Sequence, residues 1–199
     1  MKTFITCIAM ASVLTACGGG GGGSTDNPAP VVTSPFAKYE GEWKDACQFH
    51  HRETSSFAVT NSATTIAISN KIEYFDNEDC TGAIVATGVY SQPIARVNYS
   101  STDTNASVKL QNGETVTGVV DRGTAVGTDA NVTFTGSGVT SSVVNGKTIF
   151  KISYTGGSTE IRIDSISGAS PGGLMLRNGQ LYILSANGSS YSASAALSR

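Results

Sequence analysis

The chain has 199 residues, with 13 Lys and Arg against 15 Asp and Glu, a net charge of −2 at pH 7 and a mean hydropathy of −0.03. That balance leaves no basic footprint for nucleic acid or for an anionic lipid surface. Charged residues are only 14% of the chain and Gly numbers 23, a composition with abundant Ser, Thr, Val and Ile that suits strands and turns better than packed helices.

Residues 1–16 read as an export signal. Lys2 supplies one positive charge, and residues 3–13 are mostly apolar or small but too few to span a bilayer. The segment ends in Leu14-Thr15-Ala16-Cys17, which resembles the lipobox of bacterial lipoproteins. In that family the chain is cut before the cysteine, whose sulfur takes a diacylglyceryl group while the new amino terminus is acylated. The resemblance implies a removed signal peptide over 1–16 and a lipidated Cys17. It implies attachment to membrane through acyl chains, each buried CH₂ contributing about 0.8 kcal/mol. Gly18 in the second mature position implies delivery to the bacterial outer membrane. No later stretch approaches the ~18 apolar residues of a spanning helix.

Residues 17–35 form a tether. An unbroken run, Gly18 to Gly23, is followed by Pro28, Pro30 and Pro35 among polar residues. Glycine maximises backbone freedom, proline stiffens and extends, and neither builds a core. A flexible chain of this length has an end-to-end distance of about 25 Å. No Gly-Lys-Ser/Thr follows the glycines, so they do not make a phosphate-binding loop.

Residues 36–199 are expected to be one all-β domain. The first strand is predicted near 38–45 and carries Gly41-Glu42-Trp43. This resembles the Gly-X-Trp that opens lipocalins and also occurs in avidin-like barrels. The resemblance implies an antiparallel up-and-down barrel with Gly41 and Trp43 closing one end. A β-sandwich is the alternative, since both architectures manage strand edges. The Thr-Asp-Tyr signature of lipocalins is absent, and their C-terminal arginine is left unassigned. Cys47 and Cys80 are the cysteines that remain once Cys7 is removed and Cys17 is lipidated. In an oxidising compartment they are expected to pair, which a loop of this length makes worth about 3–4 kcal/mol.

Further strands are predicted near 54–60, 64–69, 71–76, 83–91, 94–99, 106–110, 114–121, 131–135, 147–154, 159–164, 173–177 and 180–185, some of them merging. Alternation is clear at Phe150, Ile152 and Tyr154, at Ile161 and Ile163, and at Val132 and Phe134. Asn178-Gly179 sits between two apolar runs and predicts a two-residue hairpin turn. Asn145-Gly146 and Asn112-Gly113 predict further turns. The Gly-, Ser- and Thr-rich stretch 123–145 predicts a long mobile loop. No segment supports a helix of three turns.

Chemistry is sparse. His50 and His51 are the only histidines. Placed in a strand, they point to opposite faces and read as a surface pair rather than one metal site. Glu73, Asp76, Glu78 and Asp79 cluster before Cys80, but not at the spacing of a calcium loop, so they read as a solvated turn. Gly-X-Ser-X-Gly, Ser-X-X-Lys and Cys-X-X-Cys are all absent, and disulfide pairing removes Cys47 as a nucleophile. The expectation is a non-catalytic envelope lipoprotein with an interaction or structural role, no cofactor, and an envelope protein as partner. The alternative is a lipocalin-like module holding a small apolar ligand.

Overall fold

The computed structural model describes residues 33–162 and 168–199. The signal segment, Cys17, nearly all of the tether, and Ile163 lie outside them. The described part is built almost entirely of strands: β1 (Gly41–Lys44), β2 (His51–Val59), β3 (Thr65–Phe75), β4 (Ile84–Tyr90), β5 (Ala95–Lys109), β6 (Thr115–Gly127), β7 (Val132–Thr135), β8 (Val139–Val144), β9 (Lys147–Tyr154), β10 (Gly157–Arg162), β11 (Ala169–Arg177), β12 (Gln180–Asn187) and β13 (Ser190–Leu197). A single 3₁₀ turn, Ala37–Tyr39, precedes β1. The fold is therefore all-β, as the composition and alternation require.

The strands form two sheets, one of ten strands and one of three. In the larger, antiparallel ladders connect β1 to β2, β2 to β3, β3 to β5, β5 to β6, β6 to β11, β11 to β12 and β12 to β13. Lys44 and Ser198 then exchange both backbone hydrogen bonds, at 2.6 and 2.8 Å, so the chain just past β13 meets the end of β1. β4 and β7 extend the sheet from β3. β8, β9 and β10 make the small sheet.

The central strands β11 and β12 are buried on both faces. Leu174 and Leu181 face one cluster, with Phe36, Tyr39, Trp43, Phe57, Ile66, Ile68, Val97 and Leu197. Their neighbours Met175, Tyr182 and Leu184 face the opposite cluster, with Ala106, Val108, Val116, Val120 and Tyr191. The second cluster exists because the far half of the β5–β6 hairpin curls over the back of β11–β13. It curls until Val108 and Lys109 meet Tyr191 and Ser192 in a short parallel ladder. This explains the near-continuous apolar runs in β11 and β12, which a strand with one wet face would not carry. A third cluster, including Tyr74, Ala86, Phe134, Phe150 and Ile152, seats the small sheet against β3, β4 and β7.

Close strand approach needs glycine at Gly173. A Cβ there would lie 2.5 Å from Val120 Cγ1 and 2.9 Å from the Asp121 carbonyl oxygen. The turn signals at Asn145-Gly146 and Asn178-Gly179 are two-residue turns with both residues at positive φ, the backbone that Asn-Gly favours.

Two expectations about the strands are corrected. Residues 123–145 are not one long loop, because they hold the end of β6, all of β7 and β8. Glycines at 136 and 138 mark close approach to the Val85 and Ser153 backbones rather than slack. The first strand begins at Gly41 and not near 38, since Ala37–Tyr39 turns inward as a 3₁₀ segment that buries Tyr39. The expected merging is observed: the segments near 64–69 and 71–76 are one strand, as are those near 94–99 and 106–110. In the latter, bulges between Tyr99 and Ser101 and between Asp103 and Ala106 produce the bend.

Substituting Gly173→Ala is expected to cost about 1–3 kcal/mol through overpacking against Val120. The midpoint of urea denaturation measures it.

Candidate functional site

The most connected polar group of the first core is Asp121, on β6 and only 2% exposed. The Tyr39 hydroxyl donates its hydrogen between Asp121 Oδ2 at 2.6 Å and the Leu174 carbonyl at 2.8 Å. Thr102 Oγ1 donates to Asp121 Oδ1 at 2.6 Å, so the Tyr99 hydroxyl 2.9 Å away must donate to Thr102. Lys38 Nζ lies 2.7 Å from Oδ2 and reaches solvent with the rest of its side chain. Burial pushes the Asp121 carboxyl up, but bonding by Lys38, Thr102 and Tyr39 outweighs it and holds the group below the usual carboxylate range. Burial, with the Asp121 charge beside it, pushes the Tyr39 hydroxyl far above the ordinary tyrosine value. Both carboxylate oxygens are engaged, so the group holds structure together and is not poised as a base.

Trp43 completes this end of the core. It is 2% exposed, and its indole N–H donates to the Tyr39 carbonyl at 2.8 Å. Arg199 places its guanidinium 4.5 Å from the Trp43 ring centre and donates to the Glu40 carbonyl at 3.0 Å. Gly41 has φ +112, a conformation that glycine alone adopts freely. An adjoining apolar cavity of about 200 Å³ is lined by Ile68, Val97, Ala125, Leu174 and Ile183, with small residues between them.

The second region surrounds the cysteines. Cys47 and Cys80 are joined, with Cα atoms 5.8 Å apart. Between Gln48 and His51, which exchange backbone hydrogen bonds, Phe49 and His50 form a two-residue turn with φ of 50° and 70°. His50 is buried, contrary to a surface pair. It leaves the predicted strand because it lies in this turn, and its ring stacks on Tyr154 with centres 3.8 Å apart. Its Nδ1 faces the Phe75 carbonyl at 3.1 Å, so Nδ1 carries a proton. His51 instead stacks on Tyr74, so the two imidazoles do not meet.

Of the acidic cluster, Glu73 accepts from Lys71 on β3, Asp76 accepts from the Thr155 backbone, and Asp79 accepts from Thr81. These last bonds hold Asp76 and Asp79 below the usual carboxylate range. Among the described residues no three His, Cys, Asp or Glu side chains are grouped to hold a metal ion. Burial, aided by the charge of Glu53, pushes Tyr74 up to about 12.

The sequence reading missed Asp121, Tyr39 and the Phe49-His50 turn. Comparison with protein-family models, curated proteins and solved structures finds no match to this chain.

Asp121→Asn is expected to lower stability by about 2–4 kcal/mol, because hydrogen bonds to a buried charge weaken together. Lys38→Ala is expected to cost about 1–3 kcal/mol, since it leaves the buried Asp121 carboxylate without its cation. The depressed Asp121 pKa contributes stability above the unfolded carboxylate value near 4, and that contribution is lost as pH falls through the folded value. The raised Tyr39 pKa works in reverse: its contribution is intact below about pH 10 and lost above it. Thermal unfolding across pH is expected to show both flanks, with the acid flank shallower in Asp121→Asn.

Proposed function

We propose that the protein is an exported, lipid-anchored envelope protein whose β-domain acts without catalysis, as an interaction or structural module at the bacterial outer membrane. The observation that carries this reading is the filled interior. Phe36, Tyr39, Trp43, Phe57, Ile66, Leu174 and Leu181 occupy the first core at 0–2% exposure. What remains is the cavity of about 200 Å³, below the ~300 Å³ at which small-molecule pockets begin. The titratable groups support it too, because Asp121, His50, Asp76 and Asp79 all have structural partners.

A barrel is the finer reading of the fold. Its support is the run of ladders from β1 to β13, joined back to β1 through Lys44 and Ser198. What supports the resemblance at Gly41 and Trp43 is that Arg199 stands against the Trp43 ring, 4.5 Å from its centre. Anchoring rests on Cys17 alone. The second reading, a small apolar ligand, rests on the lining of the residual cavity.

Native mass spectrometry of the full chain, extracted from its host membrane in mild detergent, tests the reading. The expected mass is that of a chain cut before Cys17 and acylated there, with no bound small molecule. A stoichiometric organic ligand would overturn the filled-interior argument in favour of the second reading. An unmodified Cys17 would remove the anchor. Cys17→Ser is expected to move the protein from the membrane fraction to the soluble fraction.

A further inference from the structure

Among the described residues, Phe49 is the one aromatic in the set of exposed large apolar side chains, at 70% exposure. It shares with His50 a turn whose two positions are left-handed, at φ 50° and 70°. At Asn145-Gly146 and Asn178-Gly179 such positions hold residues that tolerate them. Phe and His each carry a Cβ that disfavours this region.

His50 has a reason to be there. Its ring is stacked on Tyr154, its N–H donates to the Glu78 carbonyl at 3.1 Å, and its carbonyl accepts from the Phe75 N–H at 2.7 Å. Phe49 has no such reason, because its one ring contact among the described residues is edge-on to His50, with centres 5.8 Å apart. The fold therefore holds an aromatic ring out in water on a braced turn. Such a ring is pre-organised for contact and loses little freedom on binding.

Beside that ring stands a carboxylate with no partner. Cys47, Phe49, Asn77, Glu78 and Asp79 line one open hollow of about 660 Å³. The other acids of this region are engaged. Asp76 accepts from the Thr155 backbone, Asp79 Oδ1 accepts from the Thr81 N–H and hydroxyl, and Asp45 accepts from the Ala46 N–H and from Gln48. Among the described residues the exposed Glu78 carboxylate has neither a hydrogen bond nor an ion pair. Its backbone is nonetheless fixed. The Glu78 carbonyl holds the His50 N–H, and the Cys47–Cys80 disulfide lies two residues from Phe49 and two from Glu78. Ring and carboxylate are thus presented together on one frame.

The chemistry of the lining selects a class of guest. Phe49 offers a π face, negative at its centre. Glu78 and the second oxygen of Asp79 offer acceptors, and the Asn77 amide nitrogen is already spent on Thr81 at 3.0 Å. No Lys or Arg occurs over 45–51 or 76–83, and Arg52 lies over the Phe75 ring. An anionic guest or an anionic bilayer is repelled. A purely apolar guest would strip water from Glu78 without replacing its bonds. A guanidinium meets both demands: its plane stacks on an aromatic face, and its fork donates two parallel bonds to a carboxylate. A lysine ammonium, compact and strongly hydrated, has no such plane. The open mouth suits a side chain presented by a second surface better than a free molecule, which an enclosing pocket would bury.

We propose that the Phe49–Glu78 hollow receives an arginine side chain of a second envelope polypeptide, its guanidinium stacked on the Phe49 ring and its N–H fork set on the Glu78 carboxylate, with Asp79 adding charge. This rests on the interaction-module reading and names the group by which the partner is recognised.

Photo-crosslinking of the full chain in its native membrane, with p-benzoylphenylalanine in place of Phe49, tests it. The expected product is a polypeptide adduct whose linked peptide contains an arginine. Its yield is expected to fall about tenfold in Glu78→Arg and to recover when the linked arginine is changed to Glu, as paired charges across an interface predict. Changing that arginine to Lys instead is expected to lower the yield about threefold, through loss of the stacking plane. Circular dichroism of Glu78→Arg, an exposed substitution, checks that the fold is kept. No adduct, an adduct to lipid or glycan, a linked peptide without arginine, a yield indifferent to Glu78→Arg, or a charge exchange that restores nothing would overturn the proposal. None of these outcomes would alter the mass-spectrometric result that decides the interaction-module reading itself.

Discussion

The buried carboxylate of Asp121 is the constraint on which the first core depends. It gathers the 3₁₀ turn through Lys38 and Tyr39, β5 through Thr102, and, through the shared Tyr39 hydroxyl, the backbone of β11. Without that focus Tyr39 would be a large polar side chain in an apolar interior, a costly arrangement unless its hydroxyl is bonded. With it, the turn is held inward, Trp43 finds the Tyr39 carbonyl, and Arg199 can stand against the indole. Phe36, Tyr39 and Trp43 thereby pack into the first core beside Phe57, Ile66, Leu174 and Leu181.

Much of the architecture was readable because it rests on local rules. The period-two alternation at Val132 and Phe134, and at Phe150 and Ile152, placed those residues on the buried side. The Asn-Gly pairs marked turns whose backbone demands them. The cysteine pairing followed from compartment and count. β13 was missed because Ser190–Leu197 is a run of Ser and Ala around one Tyr and one Leu, with little strand propensity. It is a strand because β12 and β5 pair with it, a fact of tertiary structure.

The site was less legible than the fold. Asp121 follows Val119 and Val120 and precedes Arg122, so its neighbourhood gives no sign that it faces inward. Only the arrival of Lys38, Tyr39 and Thr102 from distant positions makes its burial tolerable. The Phe49-His50 turn escaped for the opposite reason. Turn signals are Asn, Gly and Asp, and this turn carries none of them.

The inward-held 3₁₀ turn also sets how the domain bears mechanical load. Any pull transmitted along the residues that precede Phe36 arrives first at a side chain with no exposure and at the Tyr39 hydroxyl bonds. Only afterwards does it reach the β1–β2 ladder. Tension applied from the N-terminal side would therefore be met by a packed aromatic knot acting as a strain relief, sparing the zipper of backbone bonds behind it.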